Sequence, residues 1–388
     1  MKREFEAIVL GLGGIGSASV YWLSKSLGGD VLGIEQFELG HERGGSQDHS
    51  RIIRYSYHAP EYVELAKLAY QAWGEVEAES QEQVVVKTGG VDLFPPGCAN
   101  TLSDYTGSLD SGGIDFEVLA ADEIRRRWPQ FRISDETEAI YQKDGGLVRA
   151  AIANATHRRL AEEHGAVLCS EVSVTAIRHV NGEFEVETPE QTYRSRKLVI
   201  AAGAWTNQTL AHFGLELPLT VTREQVVYFE PTGRPEFSPA RLPIWIWMEE
   251  PSFYGFPEID GQGLKVAEDV GGYETTAESR NFDPEPENLA RVQSFCSRHL
   301  PPPTRKIAAV KTCLYTMPPD RDFIVDAMPN IPECVVAVGA GHAFKFASAL
   351  GRILSELALD RRTAADLSRF HIDRPILQEE NPPRSFFI

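Results

Sequence analysis

The sequence predicts an α/β (α+β) protein in which a dinucleotide-binding domain is interrupted by a second, mainly antiparallel-sheet domain. Three observations lead to this fold class. An apolar run, a glycine motif and an amphipathic segment follow one another near the N-terminus. Two later apolar runs, at 198–205 and 334–341, also stop at glycine. Segments between these runs, such as REQVVYFE and SFYGFP, show the alternation that is typical of half-buried strands.

The N-terminal segment has the order of a βαβ unit. AIVLG at 7–11 is a continuous apolar run of strand length, as expected for a strand buried on both faces. GLGGIG at 11–16 is a tight turn, and residues 15–27 carry apolar side chains on one helical face. VLGIE at 31–35 is the second strand. This order predicts a nucleotide site at the turn.

The turn has the glycine pattern of a dinucleotide-binding site. Gly11 permits the sharp turn, Gly13 lets a pyrophosphate approach the backbone, and Gly16 lets the helix pack closely on the strand. The N-terminus of the helix favours the phosphate charge. Glu35 can accept hydrogen bonds from ribose hydroxyls and disfavours a 2′-phosphate, and therefore disfavours NADP as the ligand. NAD and FAD both remain open from this motif.

The three apolar runs that end in glycine are predicted to be parallel strands of one sheet, with the cofactor at their carboxyl ends. Long insertions separate them, so the domain is discontinuous, and 388 residues are enough for two domains. We assign the sequence to a cofactor-binding domain at 1–83, 141–215 and 306–388, and a substrate-binding domain at 84–140 and 216–305.

Composition excludes several classes of function. A formal net charge of −18 disfavours nucleic acid and anionic membranes as partners. No apolar run approaches the roughly 18 residues of a membrane span, and the N-terminus lacks a secretory signal pattern. Five cysteines without CxxC spacing, and histidines that do not cluster, predict free thiols and no metal site. A reducing compartment, the cytoplasm, is expected.

Six motifs then place the chain beside a known family: GLGGIG, GGSQDHSRIIRYSYH, FYGFP, GLKVAED, KTCLYTMPPDRDFIVD and GHAFKFAS. In this order they resemble the monomeric sarcosine oxidase and N-methyltryptophan oxidase family, whose wider relatives include pipecolate oxidases and fructosyl amino acid oxidases. The resemblance implies a monomer with an FAD-binding domain of glutathione-reductase type. It also implies hydride transfer from the carbon next to nitrogen to flavin N5, then hydrolysis or release of the imine and reduction of O2 to hydrogen peroxide.

The same resemblance makes Cys313 the attachment point of a covalent flavin. The attacking species is the thiolate, so the thiol must be accessible and readily ionised, and Lys311 and Arg321 are candidates to lower its pKa. The predicted cofactor-binding residues are Gly11, Gly13, Gly14, Ile15, Gly16, Glu35, Gln36, Ser46, Arg51, Val172, Gly203, Trp205, Cys313, Gly339, Gly341, His342, Ala343, Phe344 and Lys345.

Four basic residues carry the predicted chemistry. By resemblance, Arg54 and Lys345 bind the substrate carboxylate, which suits the planar donor fork of arginine. The resemblance also places Arg51 beside the flavin ring. It implies that Lys265 activates oxygen, since a fixed ammonium stabilises superoxide as the first electron arrives.

Three further residues bear on the substrate. Tyr254 matches a pocket aromatic, and of the alternating pair Trp245 and Trp247 we assign Trp245 to the pocket. Asp269 stands where fructosyl amino acid oxidases typically carry an acid, and it would attract a protonated amine or accept hydrogen bonds from sugar hydroxyls. If the match to the family motif is shifted by one residue, Glu268 takes this position instead of Asp269.

The leading hypothesis is an FAD-dependent oxidase of an N-substituted or cyclic α-amino acid. A fructosyl amino acid oxidase and an imine-forming biosynthetic amine oxidase are alternatives within the class. From other classes, an NAD-linked dehydrogenase or a non-catalytic FAD-binding protein would also use the unit from Gly11 to Glu35. The sequence leaves open the exact substrate and the side of the C–N bond that is oxidised.

Overall fold

A computed structural model describes residues 2–98, 101–302 and 305–384 of the chain. Its strands are β1 Glu4–Leu10, β2 Val31–Ile34, β3 Arg51–Ile53, β4 Val85–Lys87, β5 Gly90–Phe94, β6 Glu117–Ala120, β7 Glu138–Gln142, β8 Gly146–Val148, β9 Val167–Cys169, β10 Ala176–Val180, β11 Glu183–Glu187, β12 Thr192–Ile200, β13 Thr220–Phe229, β14 Ile244–Trp247, β15 Phe253–Phe256, β16 Lys265–Glu268, β17 Tyr273–Glu274, β18 Ile307–Met317, β19 Ile324–Met328 and β20 Ile331–Val338.

Its α-helices are α1 Gly14–Leu27, α2 Pro60–Ser80, α3 Leu102–Ser111, α4 Ala121–Arg127, α5 Ala150–Glu163, α6 Thr206–Leu210, α7 Pro286–His299 and α8 Ala347–Asp360. A short 3-10 turn at Ala343–Phe346 leads directly into α8. In the described part of the chain, none of these helices has the length and apolar character needed to cross a membrane.

The first sheet is mainly parallel and has the strand order β10-β11-β12-β1-β2-β9, with β20 beside β12 and β19 beside β20. β1 lies between β12 and β2, and β12 pairs in parallel with β20, so the three predicted apolar runs are neighbouring strands. Ile8 and Val9 are fully buried in two different apolar clusters, one on each face of β1. This explains why the strand is a continuous apolar run.

The second sheet is mainly antiparallel, with the order β17-β13-β16-β15-β14-β5-β7-β6 and β18 beside β13. The predicted fold class, a parallel cofactor sheet combined with an antiparallel sheet, is confirmed. One assignment needs correction: 306–388 was given to the cofactor-binding domain, but β18 pairs along its length with β13 and belongs to the second sheet. The remaining domain boundaries stay a prediction.

A third, small sheet connects the two large ones. It has the order β3-β8-β4, and its strand β3 begins at Arg51, which pairs with Val148 of β8. The segment that precedes β3, residues 44–50, runs past the start of α1 and past β18, where the amide of Leu314 donates to the carbonyl oxygen of Gly44. The RIIR motif therefore lies between the nucleotide turn and the second sheet.

Candidate active site

A single long cavity of about 360 Å³ joins the carboxyl ends of the parallel strands to the second sheet. Most predicted cofactor residues line it: Gly11, Gly13, Gly14, Ile15, Glu35, Gln36, Ser46, Arg51, Val172, Gly203, Trp205, Gly339, Gly341, His342, Ala343, Phe344 and Lys345. Gly16 and Cys313 do not line it. The cavity therefore connects nearly all of the residues that the motifs single out.

The nucleotide end is built from close backbone contacts. Gly11 has φ +87°, a conformation that favours glycine, and a Cβ on Gly16 would lie 1.7 Å from the Gly11 carbonyl oxygen. Both positions therefore require glycine if α1 is to begin against β1. The amide of Gly14 donates to Ser46 Oγ at 2.8 Å, which ties the turn to the segment before Arg51.

Glu35 ends β2 at this turn, as predicted. Its carboxylate accepts hydrogen bonds from the amides of Leu12 at 2.8 Å and Phe37 at 3.1 Å, and His41 Nε2 lies 3.4 Å away. Burial raises the pKa of Glu35, but hydrogen bonds from His41 and the backbone outweigh burial and hold it below its usual value. An ionised acid facing the cavity fits the ribose of a dinucleotide.

These features fit FAD. A glycine turn that tolerates no Cβ, a helix start without a side-chain cap and an ionised acid at the end of β2 line one end of an extended cavity. The cavity also reaches the second sheet, where Tyr254 of β15 lines it, and Arg51 and Lys345 line it as well. An extended ligand with a nucleotide at one end and a reactive ring at the other matches this arrangement.

Arg51 lines the cavity, whereas Lys265 lies behind it. Lys265 is 2% exposed, and its Nζ pairs with Asp48 and donates to the Ser50 carbonyl oxygen at 2.8 Å. Arg51 Nη1 donates to the same Asp48 carboxylate at 2.7 Å. Burial lowers the pKa of Lys265 to about 8, and Asp48 opposes that shift. The two predicted cations are therefore parts of one buried network.

Arg54 and Lys345 both lie near the ring of Tyr57, in the part of the cavity beside the second sheet, which we call the substrate end after its predicted role. Arg54 is 2% exposed, and its Nη1 pairs with Asp92 Oδ2 at 2.7 Å. Among the described residues, its Nε has no hydrogen-bond partner. Lys345 Nζ lies 5.6 Å from the centre of the Tyr57 ring, which Arg54 also faces at 4.9 Å. Burial and the positive charge of Arg54 lower the pKa of Lys345 to about 7.

The structure separates Asp269 from Glu268. Asp269 lines the cavity and pairs at 2.9 Å with Arg321, whose side chain is fully buried. Glu268 does not line the cavity and is held instead by Asn288 at 2.9 Å and Arg291 at 2.8 Å. Of these two acids, Asp269 is therefore the one that lines the cavity, and its charge is balanced by a guanidinium.

The assignment of Trp245 to the pocket was wrong. Trp245 is fully buried on the opposite side of β14, where its ring stacks on Phe295 at 5.6 Å. Ile246, the next residue, lines the cavity because side chains alternate along a strand. Trp247 points the same way as Trp245 and packs on Phe295 as well. Tyr254 of β15, in contrast, lines the cavity as expected.

Cys313 is partly buried in β18, two residues before Tyr315, which lines the cavity. Burial raises the pKa of its thiol to about 11, although Arg51 and Lys265 act to lower it. The largest effects on this pKa come from burial and from other charged groups, and the effect of Lys311 and Arg321 stays a prediction. Lys311 pairs with Glu42 and Arg321 pairs with Asp269.

Sequence reasoning missed the carboxylates that hold the basic residues. Asp48 precedes Arg51 by three residues and binds both Arg51 and Lys265. Asp92 is the lone acid of the otherwise apolar strand GVDLF and pairs with Arg54. A charged residue inside a buried strand needs a partner, which is the signal that could have identified Asp92.

The chain matches the family model described as FAD dependent oxidoreductase over residues 6–357. It is 38% identical over 381 residues to a monomeric sarcosine oxidase of Streptomyces avermitilis, covering 95% of this chain and 97% of that protein. The chain belongs to the FAD-dependent oxidoreductase family. It is also 31% identical over 378 residues to an N-methyl-L-tryptophan oxidase of Yersinia pestis, covering 96% of this chain and 99% of that protein.

Among solved structures, NikD, described as an unusual amino acid oxidase essential for nikkomycin biosynthesis, superposes with a TM-score of 0.86 at 24% identity. The superposition covers 98% of this chain and 100% of that one, and it establishes the fold. The family assignment confirms the predicted resemblance to monomeric sarcosine oxidase and the prediction of an FAD-dependent enzyme that oxidises carbon–nitrogen bonds. An NAD-linked dehydrogenase is therefore not supported.

Proposed function

We propose that this FAD-dependent oxidoreductase is an oxidase of N-substituted or cyclic α-amino acids, and that it uses O2 as its electron acceptor. The observation that carries the proposal is the pair of buried cations at the substrate end, Arg54 and Lys345. Together they form a receptor for one carboxylate, which every α-amino acid carries.

The charge balance of this end supports a carboxylate ligand. Asp92 neutralises Arg54, whereas no carboxylate of the described residues lies within ion-pair distance of Lys345 Nζ. A buried ammonium without a counter-ion is costly, and an anionic ligand relieves that cost. The unpartnered Nε of Arg54 is a further donor beside Lys345.

Asp269 and Tyr254 line the space next to this receptor. Because Arg321 balances the charge of Asp269, that carboxylate accepts a hydrogen bond from a substrate N–H without strongly favouring the protonated amine. A neutral amine is the form that gives up hydride. Ile246 and Met248 add an apolar wall for the substituent on nitrogen or carbon.

The nucleotide end would hold FAD through the turn from Gly11 to Gly16 and through Glu35. When bound, FAD supplies the acceptor for the two electrons that leave the substrate and pass to O2. Arg51, and Lys265 behind it, contribute fixed positive charge in the part of the cavity where the flavin ring would lie, and a developing anion gains most from such charge in a dry site.

Cys313 is proposed to tether the flavin covalently. Its place two residues before Tyr315, which lines the cavity, supports this role. Burial raises the pKa of the thiol, and Arg51 and Lys265 offset part of that rise. The test is to denature the protein in acid and measure the mass of the chain and the colour of the pellet. Retained flavin that is lost in Cys313→Ala, but not in Cys169→Ala, would support the tether. Free flavin from the wild type would contradict it.

We also propose that the protein works as a monomer in the cytoplasm. Support comes from the five cysteines, none of which forms a disulfide bond within the described residues, as is usual in a reducing compartment, and from relatives that are themselves named monomeric. Sedimentation of the purified protein tests the monomeric state, since a dimer would have twice the mass of the chain.

The function is tested by anaerobic titration of the purified protein while flavin absorbance is followed. Sarcosine, pipecolate, N-methyltryptophan and fructosyl-valine are added in separate experiments. Bleaching by one of the first three, with peroxide formed when air is readmitted, would support the proposal. Bleaching by fructosyl-valine alone would favour a deglycating oxidase, with Asp269 binding the sugar.

A further inference from the structure

A buried carboxylate, Asp48, lies between two cations, Arg51 and Lys265, beside the part of the cavity where the flavin ring would lie. Its Oδ2 accepts hydrogen bonds from Arg51 Nη1 at 2.7 Å and from Lys265 Nζ, and its Oδ1 accepts one from Tyr228 Oη at 2.6 Å. Asp48 is 5% exposed and does not line the cavity. Donors from β3, β13 and β16 thus converge on one side chain.

This arrangement places two cations on one anion. Arg51 and Lys265 repel each other, and in a buried site that repulsion would favour the neutral amine of Lys265. Asp48 offsets the repulsion and, together with the carbonyl and hydroxyl oxygens of Ser50, fixes the direction of the ammonium. Tyr228 satisfies the remaining oxygen of the carboxylate. The set therefore carries a net charge of one, held in a single geometry.

We propose that Asp48 is a positioning residue for the reaction with oxygen, which holds the Lys265 ammonium charged and fixed behind Arg51. The proposal rests on the proposed function, because it concerns the step in which the reduced flavin meets O2. Asp48 itself touches neither the cavity nor its ligands, so it acts through the two cations.

The charged and titratable groups around Lys265 determine the expected pH dependence. They are Asp48 and His49 from the loop, Arg51 from β3, Tyr228 from β13 and Cys313 from β18. Burial lowers the pKa of Lys265 to about 8, Asp48 raises it and Arg51 lowers it. The ammonium is therefore present below about pH 8 and lost above it. Without the Asp48 charge it would be lost at a lower pH.

The test uses the holoenzyme and needs no substrate. The flavin is reduced photochemically, mixed with O2 across a range of pH, and its reoxidation is followed by stopped-flow absorbance. In the wild type the rate should fall as pH rises through about 8. In Asp48→Asn the pH of the transition should fall by about one unit or more. In Asp48→Glu, which keeps the negative charge, the transition should lie closer to the wild-type pH.

Two further variants separate positioning from a structural role. Tyr228→Phe leaves the Asp48 carboxylate with one donor fewer, so it binds Lys265 more strongly and the transition should move to higher pH. This variant keeps the proposal testable if Asp48→Asn does not fold. Glu268→Gln removes another buried carboxylate of β16, held by Asn288 and Arg291, and should leave the transition unchanged.

A transition at the wild-type pH in Asp48→Asn with flavin bound would overturn the proposal, as would a downward shift in Tyr228→Phe. Failure of the proposed function would be visible elsewhere, as wild-type protein that carries no flavin or whose reduced flavin does not react with O2. The two failures are therefore distinguishable in one set of measurements.

Discussion

The two ends of the cavity are built in different ways. The nucleotide end is formed by neighbouring residues of one βαβ unit, and its contacts are largely backbone contacts around Gly11, Gly16 and Glu35. The substrate end is formed by side chains from distant segments. Within the described residues, Arg54, Lys265 and Arg321 each pair with a carboxylate from another part of the chain, whereas Lys345 has no such partner.

The two ends therefore differ in the substitutions that they tolerate. A site formed by close backbone contacts depends on the absence of side chains, so a single added methyl group can block it. A site of paired charges depends on balance, so the loss of one partner leaves the other buried and unpaired. Substitutions at the nucleotide end should therefore prevent cofactor binding by steric clash. Substitutions at the substrate end should change the affinity for ligands or its pH dependence.

The largest effect is expected at the nucleotide end. In Gly16→Ala, a Cβ would lie 1.7 Å from the Gly11 carbonyl oxygen, so α1 cannot pack on β1. We expect protein without FAD, measured by absorbance, and a loss of unfolding free energy of about 4 kcal/mol or more in denaturant titrations. Gly74→Ala is the control, because Gly74 lies in α2 and an added Cβ there would meet no neighbouring atom within 4 Å. Alanine at this position should raise the unfolding free energy by ~0.5–1 kcal/mol. Normal FAD content in Gly16→Ala would contradict the steric account.

A smaller, pH-dependent effect is expected at Lys345. Its folded pKa of about 7 means that the charge is present below pH 7 and lost above it, so binding of a carboxylate should weaken by up to about tenfold per pH unit above 7. The measurement is the dissociation constant of propionate, which has no amine to titrate, from changes in flavin absorbance.

In Lys345→Met the affinity should be low and independent of pH in this range. Lys87→Met, which removes a surface lysine paired with Asp144, should behave as the wild type. A pH dependence that survives in Lys345→Met would assign the titration to another group and would weaken the contrast between the two ends.

The smallest effect on activity is expected at Trp245. Trp245→Phe should lower the unfolding free energy by ~1–3 kcal/mol because a buried ring shrinks, while the ratio of kcat/KM between N-methyltryptophan and sarcosine stays the same. Ile246→Ala, one residue on, should change that ratio by roughly tenfold because Ile246 lines the cavity. A changed ratio in Trp245→Phe would contradict this placement and indicate that Trp245 contacts the substrate.

Much of the fold followed from local pattern. The apolar runs that stop at glycine are neighbouring strands, and the predicted helix 15–27 is α1 at Gly14–Leu27. These predictions succeed because strand burial and helix packing leave a periodic trace in the chain. The start of the last cofactor segment at 306 was misplaced, because the pairing of β18 with β13 has no local signal.

Within the site, the sequence determined which residue types are present: the glycines of the turn, Glu35 and the basic residues of RIIR and GHAFKF. Only the tertiary structure decided which face of β14 meets the cavity, that Asp269 and not Glu268 lines it, and that Asp48 and Asp92 hold the cations. The physical reason is that a glycine turn is defined by contacts between near neighbours, whereas a buried charge is stabilised by whichever partner the fold brings within reach.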